Sequence, residues 1–206
     1  MKIAHIETLL SCGNYAASDE WNETRGRIHE AVEAVDWPQN SGMFTINPVK
    51  HGNGVVPIKK VFVDRLRGQH WTTEEPIHLT SELQPGNLDF MLSTEHGPIA
   101  IEWETGNISS SHRSMNKLAL GLIQGVISAG IMIVASRKLY PYLTDRIGNF
   151  DELRPYLPFW KSIQCQSGVF EIVVFEQDAE STDVPRIPKG KDGNARRPAD
   201  SALDEV

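Results

Sequence analysis

The chain has 206 residues, of which 40% are hydrophobic and 23% charged. That length can bury one sizeable core without calling for a second domain, and that composition excludes disordered and fibrous classes. The formal net charge of −7, taken alone, argues against a nucleic-acid partner, because phosphate binding is driven largely by Lys and Arg.

Along the chain, the opening MKIAHIETLLSCGNYAASDEW has one lysine and only short apolar runs, so no signal peptide is expected. Tyr15 to Val35 places Trp21, Ile28, Val32 and Val35 at roughly helical spacing, with Pro38 and Asn40 as breakers soon after. A second helix is predicted from Val56 to Arg67, with Pro57 in its first turn. Asn87 to Ser93 and Ile99 to Glu104 read as two strands joined by a turn around Glu95-His96-Gly97-Pro98. Ser109 to Ser111 offers an N-cap for a long helix whose apolar stripe is Met115, Leu118, Leu122 and Val126, and which Gly130 is expected to end. The stretch Ala119 to Ala135 is interrupted by Gln124, Ser128 and three glycines, short of a membrane span. Ile131 to Ala135 reads as a strand buried on both faces, Tyr142 to Arg146 and Phe150 to Leu157 as short helices, and Val169 to Glu176 as a further strand. From about Ala179 the chain reads as loop or tail. Cys12 and Cys165 are too few and too far apart for a zinc site or a disulfide framework and are expected to be buried thiols. The picture is a mixed α/β protein, soluble and cytoplasmic.

The charge is unevenly spread. Thr105 to Asn149 holds five basic residues against one acid, Asp145, and Arg186 to Arg197 again five against Asp192. Acids gather instead around Glu74/Glu75, Asp89 and Glu102/Glu104. On a strand, Ile99, Ile101 and Trp103 share one face while Ala100, Glu102 and Glu104 share the other, the two carboxylates about 7 Å apart. With Asp89 on the neighbouring strand, three acids would raise one another's pKa unless a cation compensates, and an oxygen-only set suits Mg²⁺ or Mn²⁺. The alternative is an amphipathic edge strand whose glutamates face water.

An acid on one strand followed by E-x-E on the next has the shape of the PD-(D/E)xK nuclease core. EWETGNISSSHRSMNKLALGL (102–122) resembles the matching run of the BamHI-type type II restriction endonucleases. FTIN (44–47), NGVVPIK (53–59), YLTDRIGNF (142–150) and VPRIPKGKDG (184–193) resemble that family in the same order. The resemblance implies a restriction-endonuclease-like α/β fold, a central mixed sheet with helices on both sides, as one domain over 1–206 with a flexible C-terminal arm at about 186–206. It implies Glu74, Asp89, Glu102 and Glu104 as the catalytic acids. Two Mg²⁺ ions, for which Mn²⁺ would substitute, would be held by Glu74, Asp89, Glu102 and the main-chain carbonyl of Trp103, with Glu104 as general base or orienter of the attacking water. The alternative for Glu74 is a solvated loop acid.

The same resemblance implies DNA contacts from Asn107, Ser109 and Arg113 at the start of the long helix, and from Asp145 and Arg146, whose counterparts read the outer base pair of GGATCC. Lys59 matches a lysine that approaches the DNA. The implied activity is cleavage of both strands after the first G, leaving 5′-GATC overhangs, by a homodimer built on the Arg113–Ala129 helix and the segment after Asn149. A cognate methyltransferase is expected in the host, not as a subunit. Ile123 and Gln124 stand where the family has charged or titratable residues, and the acidic tail departs from a basic, helix-forming end, which suggests a compact isoschizomer. A DNA-binding regulator would have no use for the three acids together; a PD-(D/E)xK nuclease of different specificity would lack reason to keep the recognition set.

Overall fold

The computed structural model describes residues 1–66, 71–79 and 85–189; the expected arm from residue 190 onward lies outside the described residues. A six-stranded sheet runs in the order β1 (Lys2–Cys12), β7 (Gly168–Glu176), β6 (Ala129–Ala135), β5 (Ile99–Trp103), β4 (Asn87–Leu92), β3 (Trp71–Pro76). β5, β6 and β7 are parallel to their neighbours within this centre, and the outer strands are antiparallel. β6 (AGIMIVA) is buried throughout, as an apolar run in a parallel centre must be. The sheet is mixed, and helices cover both faces.

Alternation along the strands divides the core. Ile99, Ile101, Trp103, Ile131, Ile133, Val173 and Phe175 pack with Trp21, Ile28 and Val32 of α1 (Asp19–Glu33) and with Ile58, Phe62 and Leu66 of α2 (Val56–Leu66). Ala100, Met132, Val134, Ile172 and Val174 face Met115, Leu118 and Leu122 of α3 (Ile108–Ile123), Leu153 of α4 (Phe150–Leu153), and Leu157 and Trp160 of α5 (Leu157–Lys161). A two-stranded parallel ribbon of β2 (Thr45–Ile46) and β8 (Ala179–Glu180) lies outside the main sheet. No helix among the described residues is long and apolar enough to cross a membrane.

All three longer predicted helices and the four predicted strands correspond to elements here, with differences at their ends. The cap of α3 is Asn107, whose Oδ1 accepts from the N–H groups of Ser109 and Ser110, so the serines fall inside the first turn. α3 stops at Ile123 rather than at Gly130, because Gly125 takes φ +66° and turns the chain back, Val126 N–H bonding to the Gly121 carbonyl. Tyr142 to Arg146 is not a helix: a 3₁₀ turn covers Tyr140–Tyr142, and the following segment is irregular, with Arg146 at φ +67°. β1, β2, β3 and β8 were not anticipated, β8 lying at Ala179–Glu180 where loop or tail is expected. β5 is an interior strand, so its glutamates do not lie on an edge. Cys12 and Cys165 are only half-buried, and their Sγ atoms lie 3.2 Å apart.

One acid on β7 is structural. Glu171 is buried, accepts from Thr8 Oγ1 of β1 at 3.0 Å and pairs with Arg25 Nε of α1 at 2.8 Å, tying that helix to two strands. Removing one partner of such a pair leaves a buried charge uncompensated. Arg25→Ala is expected to cost about 3 kcal/mol in urea unfolding, and adding Glu171→Gln to it should recover part of that loss.

Candidate active site and recognition surface

The β4–β5 ladder pairs Leu92 with Ile99, Met91 with Ala100 and Phe90 with Ile101, and ends there. Continuing the register sets Asp89 opposite Glu102. The β3–β4 register, Thr73 with Phe90 and Glu75 with Leu88, likewise sets Glu74 opposite Asp89. Three acids thus fall in one row across three strands, at the point where ladder pairing is interrupted. Asp89 Oδ2 takes the Trp103 N–H at 2.8 Å, a side chain standing in for the missing backbone partner. Glu74 is exposed and holds φ +57°, a sparsely populated conformation for a residue other than glycine.

Two lysines supply the compensating charge. Lys59 of α2, expected to approach the DNA, instead donates to Asp89 Oδ1 at 2.6 Å, within the row of acids. Lys117 of α3 is buried, forms an ion pair with Glu102 Oε1 and donates to the Asn87 carbonyl. Glu102 Oε2 accepts from Ser114 Oγ at 3.2 Å. Even so, burial, reinforced by the charge of Asp89 and only partly offset by Lys117 and Ser114, pushes the Glu102 carboxyl up to about 7. Burial also raises Glu104, against hydrogen bonds from the Ser111 hydroxyl and the Gly106 N–H. Lys117 escaped the sequence reading because it counted only as surface charge. The available signal was its place beside Leu118 and Ala119, close to the apolar stripe of an amphipathic helix.

Trp103 contributes main chain alone: its indole is in the core, 4.7 Å from the Phe62 ring and 5.1 Å from Phe175. Asp89, Glu102 and the Trp103 carbonyl are hard oxygen donors, and a site whose acid is forced up by burial and by a neighbouring negative charge suits a divalent cation. Among the described residues, no three His, Cys, Asp or Glu side chains close into a cage. An ion held here would complete its shell from main chain, water and substrate phosphate, as Mg²⁺ commonly does.

The proposed base readers form one surface next to these acids. Asn107, Ser109 and Arg113 are exposed at the start of α3, and Asp145 and Arg146 are exposed on the loop before α4. Backbone pairing joins the two groups: Asn107 bridges Ile147, and Gly148 N–H donates to the Gly106 carbonyl at 2.8 Å. Gly106 in turn binds Glu104, so readout loop, helix start and acid are contiguous. While Asn107 Oδ1 caps the helix, its amide NH₂ is the part left to meet a base.

Burial sets a pH dependence. A carboxyl whose folded pKa lies above its unfolded value binds more protons when folded, so stability falls as pH rises between the two values. The shift of Glu102 places that window from about 4.5 to about 7, and the Glu104 carboxyl is raised in the same direction. The metal-free protein should melt at lower temperature as pH climbs from 5 to 7.5, with a slope of at most about 1.4 kcal/mol per pH unit for each group. Glu102→Gln should flatten the curve in thermal melts across that range.

The chain matches the family described as restriction endonuclease BamHI over residues 1–194. It is 42% identical over 197 residues to the type II restriction enzyme OkrAI of Oceanobacter kriegii, covering 96% of this chain and 100% of that protein. To the type II restriction enzyme BamHI of Bacillus amyloliquefaciens it is 39% identical over 194 residues, covering 90% of this chain and 87% of that one. Among solved structures, restriction endonuclease BglII complexed with a DNA 16-mer superposes with a TM-score of 0.55 at 16% identity, over 86% of this chain and 79% of that one, a likeness of fold. With that agreement along almost its whole length, the chain belongs to the BamHI family of type II restriction endonucleases.

Proposed function

We propose that this enzyme, acting as a single endonuclease domain, recognises GGATCC in double-stranded DNA and cuts each strand after the first G, leaving 5′-GATC overhangs. The observation that carries this reading is the continuity just described, in which Glu104, Gly106 and Gly148 join the acid row to Asn107, Ser109, Arg113, Asp145 and Arg146. Relatives at 42% and 39% identity, one of them BamHI, support it.

Asp89, Glu102, Glu74 and the Trp103 carbonyl would hold two divalent cations, Mg²⁺ or Mn²⁺, which supply Lewis acidity at the scissile phosphate and at its attacking water. Lys59 and Lys117 keep Asp89 and Glu102 ordered before the cations arrive. Glu104, its pKa raised by burial, accepts the proton of the water that attacks phosphorus as the bond to the 3′ oxygen breaks. Arg146 and Asp145 face the outer G·C pair, the guanidinium suiting guanine O6/N7 and the carboxylate the cytosine amino group, while Arg113 and Asn107 reach toward the inner pairs. The setting is the cytoplasm of a host whose own sites a cognate methyltransferase protects.

A palindrome calls for a symmetric reader. Leu120 and Ile123 of α3 and Tyr156 and Phe159 at α5 are exposed large apolar residues, Phe159 at 63%. The two segments are already packed together, His112 against the Tyr156 ring at 4.4 Å and Trp160 Nε1 donating to Asn116 at 3.1 Å. A second copy of the chain on this face gives a homodimer held by apolar packing. Ile123→Glu should convert the dimer to monomer in sedimentation analysis, whereas an unchanged mass would place the interface elsewhere.

Digestion of a mapped plasmid in Mg²⁺, with an EDTA control and sequencing of the cut ends, tests the activity. GATC 5′ overhangs at GGATCC are expected; discrete cutting at another sequence would refute the recognition assignment while keeping the nuclease. Asp89→Ala should abolish cutting yet still retard a GGATCC duplex in a gel. Loss of both would make that acid structural.

A further inference from the structure

The NGVVPIK block contributes Lys59 to the acid row, but its first residues have no part in the account so far. Asn53 is fully buried, and every polar group it has is engaged. Its Nδ2 donates to the carbonyls of Asn47 at 2.8 Å and Tyr142 at 2.9 Å, and its Oδ1 accepts from Ile187 N–H at 3.0 Å. Its main chain donates to the Tyr142 carbonyl at 3.0 Å and accepts from Thr144 Oγ1 at 3.1 Å, forming a parallel bridge with Leu143. Next to it, Gly54 N–H donates to the Ile187 carbonyl at 2.9 Å, and a Cβ there would lie 2.1 Å from the Pro188 carbonyl oxygen, so only glycine allows this approach. Two residues before Asn53, His51 takes φ +53° and donates its N–H to the Pro141 carbonyl at 2.8 Å. Its Nδ1 lies 3.3 Å from the Leu143 carbonyl, and its Nε2 lies 3.7 Å from Asp145 Oδ1. On its other side, Asp145 Oδ2 lies 3.9 Å from Arg146 Nε.

We infer that His51 and Asn53 are positioning residues for the outer base-pair readout, Asn53 fixing the backbone of the 141–147 loop and His51 fixing the Asp145 carboxylate from the side opposite Arg146. The loop has no helix or strand of its own to set Asp145 and Arg146, and Arg146 sits in a left-handed conformation that a short irregular segment does not hold unaided. Asn53 supplies the missing scaffold by giving the loop a buried strand-like partner. His51 supplies an orienting contact that costs little conformational freedom, since an imidazole has only two rotatable bonds. Because the same segment continues into α2 and Lys59, eight residues on from His51, the contact at Asp145 and the contact at Asp89 are made from one short stretch of chain.

This inference rests on the reading of Asp145 as a base reader, and the test separates the two. The full-length enzyme and its His51→Ala, His51→Gln, Asn53→Ala and Asp145→Ala variants would be assayed in Mg²⁺ on a GGATCC duplex, on duplexes substituted at the outer pair, and on duplexes substituted at the inner pair. His51→Ala is expected to lose about tenfold in discrimination at the outer pair and to keep discrimination at the inner pair, with His51→Gln, which retains a side-chain donor, recovering much of the loss. Asn53→Ala should show the same outer-pair bias if it stays folded by circular dichroism, and His51→Ala, at a half-exposed side chain, decides the matter if it does not. Discrimination at the outer pair unchanged in His51→Ala, or lowered equally at both pairs, while Asp145→Ala loses the outer pair, would overturn the positioning role alone. An Asp145→Ala variant that still discriminates the outer pair would overturn the base-reading assignment, and the positioning role with it.

Discussion

Like charges held in a row within a low-dielectric sheet repel, and the rest of this molecule is arranged around that fact. Glu74, Asp89 and Glu102 fall opposite one another on β3, β4 and β5, and Glu104 follows at the end of β5. Helices from either side of the sheet each send in one lysine, Lys59 from α2 and Lys117 from α3. Burial, with the charge of Asp89 adding to it, still leaves the Glu102 carboxyl elevated despite Lys117. On the proposed assignment this row is where divalent cations would bind, and holding the acids together without them costs stability.

The same logic orders the surroundings. The interruption of the β4–β5 ladder that makes room for the acids is also what frees the Trp103 N–H for Asp89. Beyond β5 the chain turns through Gly106 directly into the cap of α3, and the return segment at Ile147 and Gly148 closes onto that turn. On the proposed assignment, recognition and chemistry are therefore separated by only a few backbone hydrogen bonds. A distortion at the readout loop has a short, stiff route to Glu104.

Much of this was legible in the sequence where pattern and packing agree. The Ile99, Ile101, Trp103 alternation matched the faces of β5, and the apolar spacing of α1, α2 and α3 matched the faces they bury, except that Val126 lies past the end of α3. β1 escaped because an edge strand with irregular pairing between Ile3 and His5 and between Thr8 and Leu10 breaks the period of two on which such a reading depends. β3 escaped because it is short, largely exposed and interrupted at Glu74. The true cap at Asn107 was hidden by three serines of equal capping propensity, and the Tyr142–Arg146 segment by a tertiary partner, Asn53, that lies some ninety residues away. The buried role of Lys117 was illegible for the same reason: charge is visible in sequence, but its partner is not.

α3 bears on how such an enzyme could diversify. Within sixteen residues it presents Ser109 and Arg113 to solvent at its start, Ser111, Ser114 and Lys117 to the acids, Met115, Leu118 and Leu122 to the core, and Leu120 and Ile123 to the outside at its far end. If Ser109 and Arg113 read the target as proposed, a substitution on this helix that altered what is read would also disturb the acids or the packing. The loop bearing Asp145 and Arg146 carries fewer obligations. New target sequences would be reached more readily by exchanging that loop together with its 51–54 scaffold than by rewriting the helix.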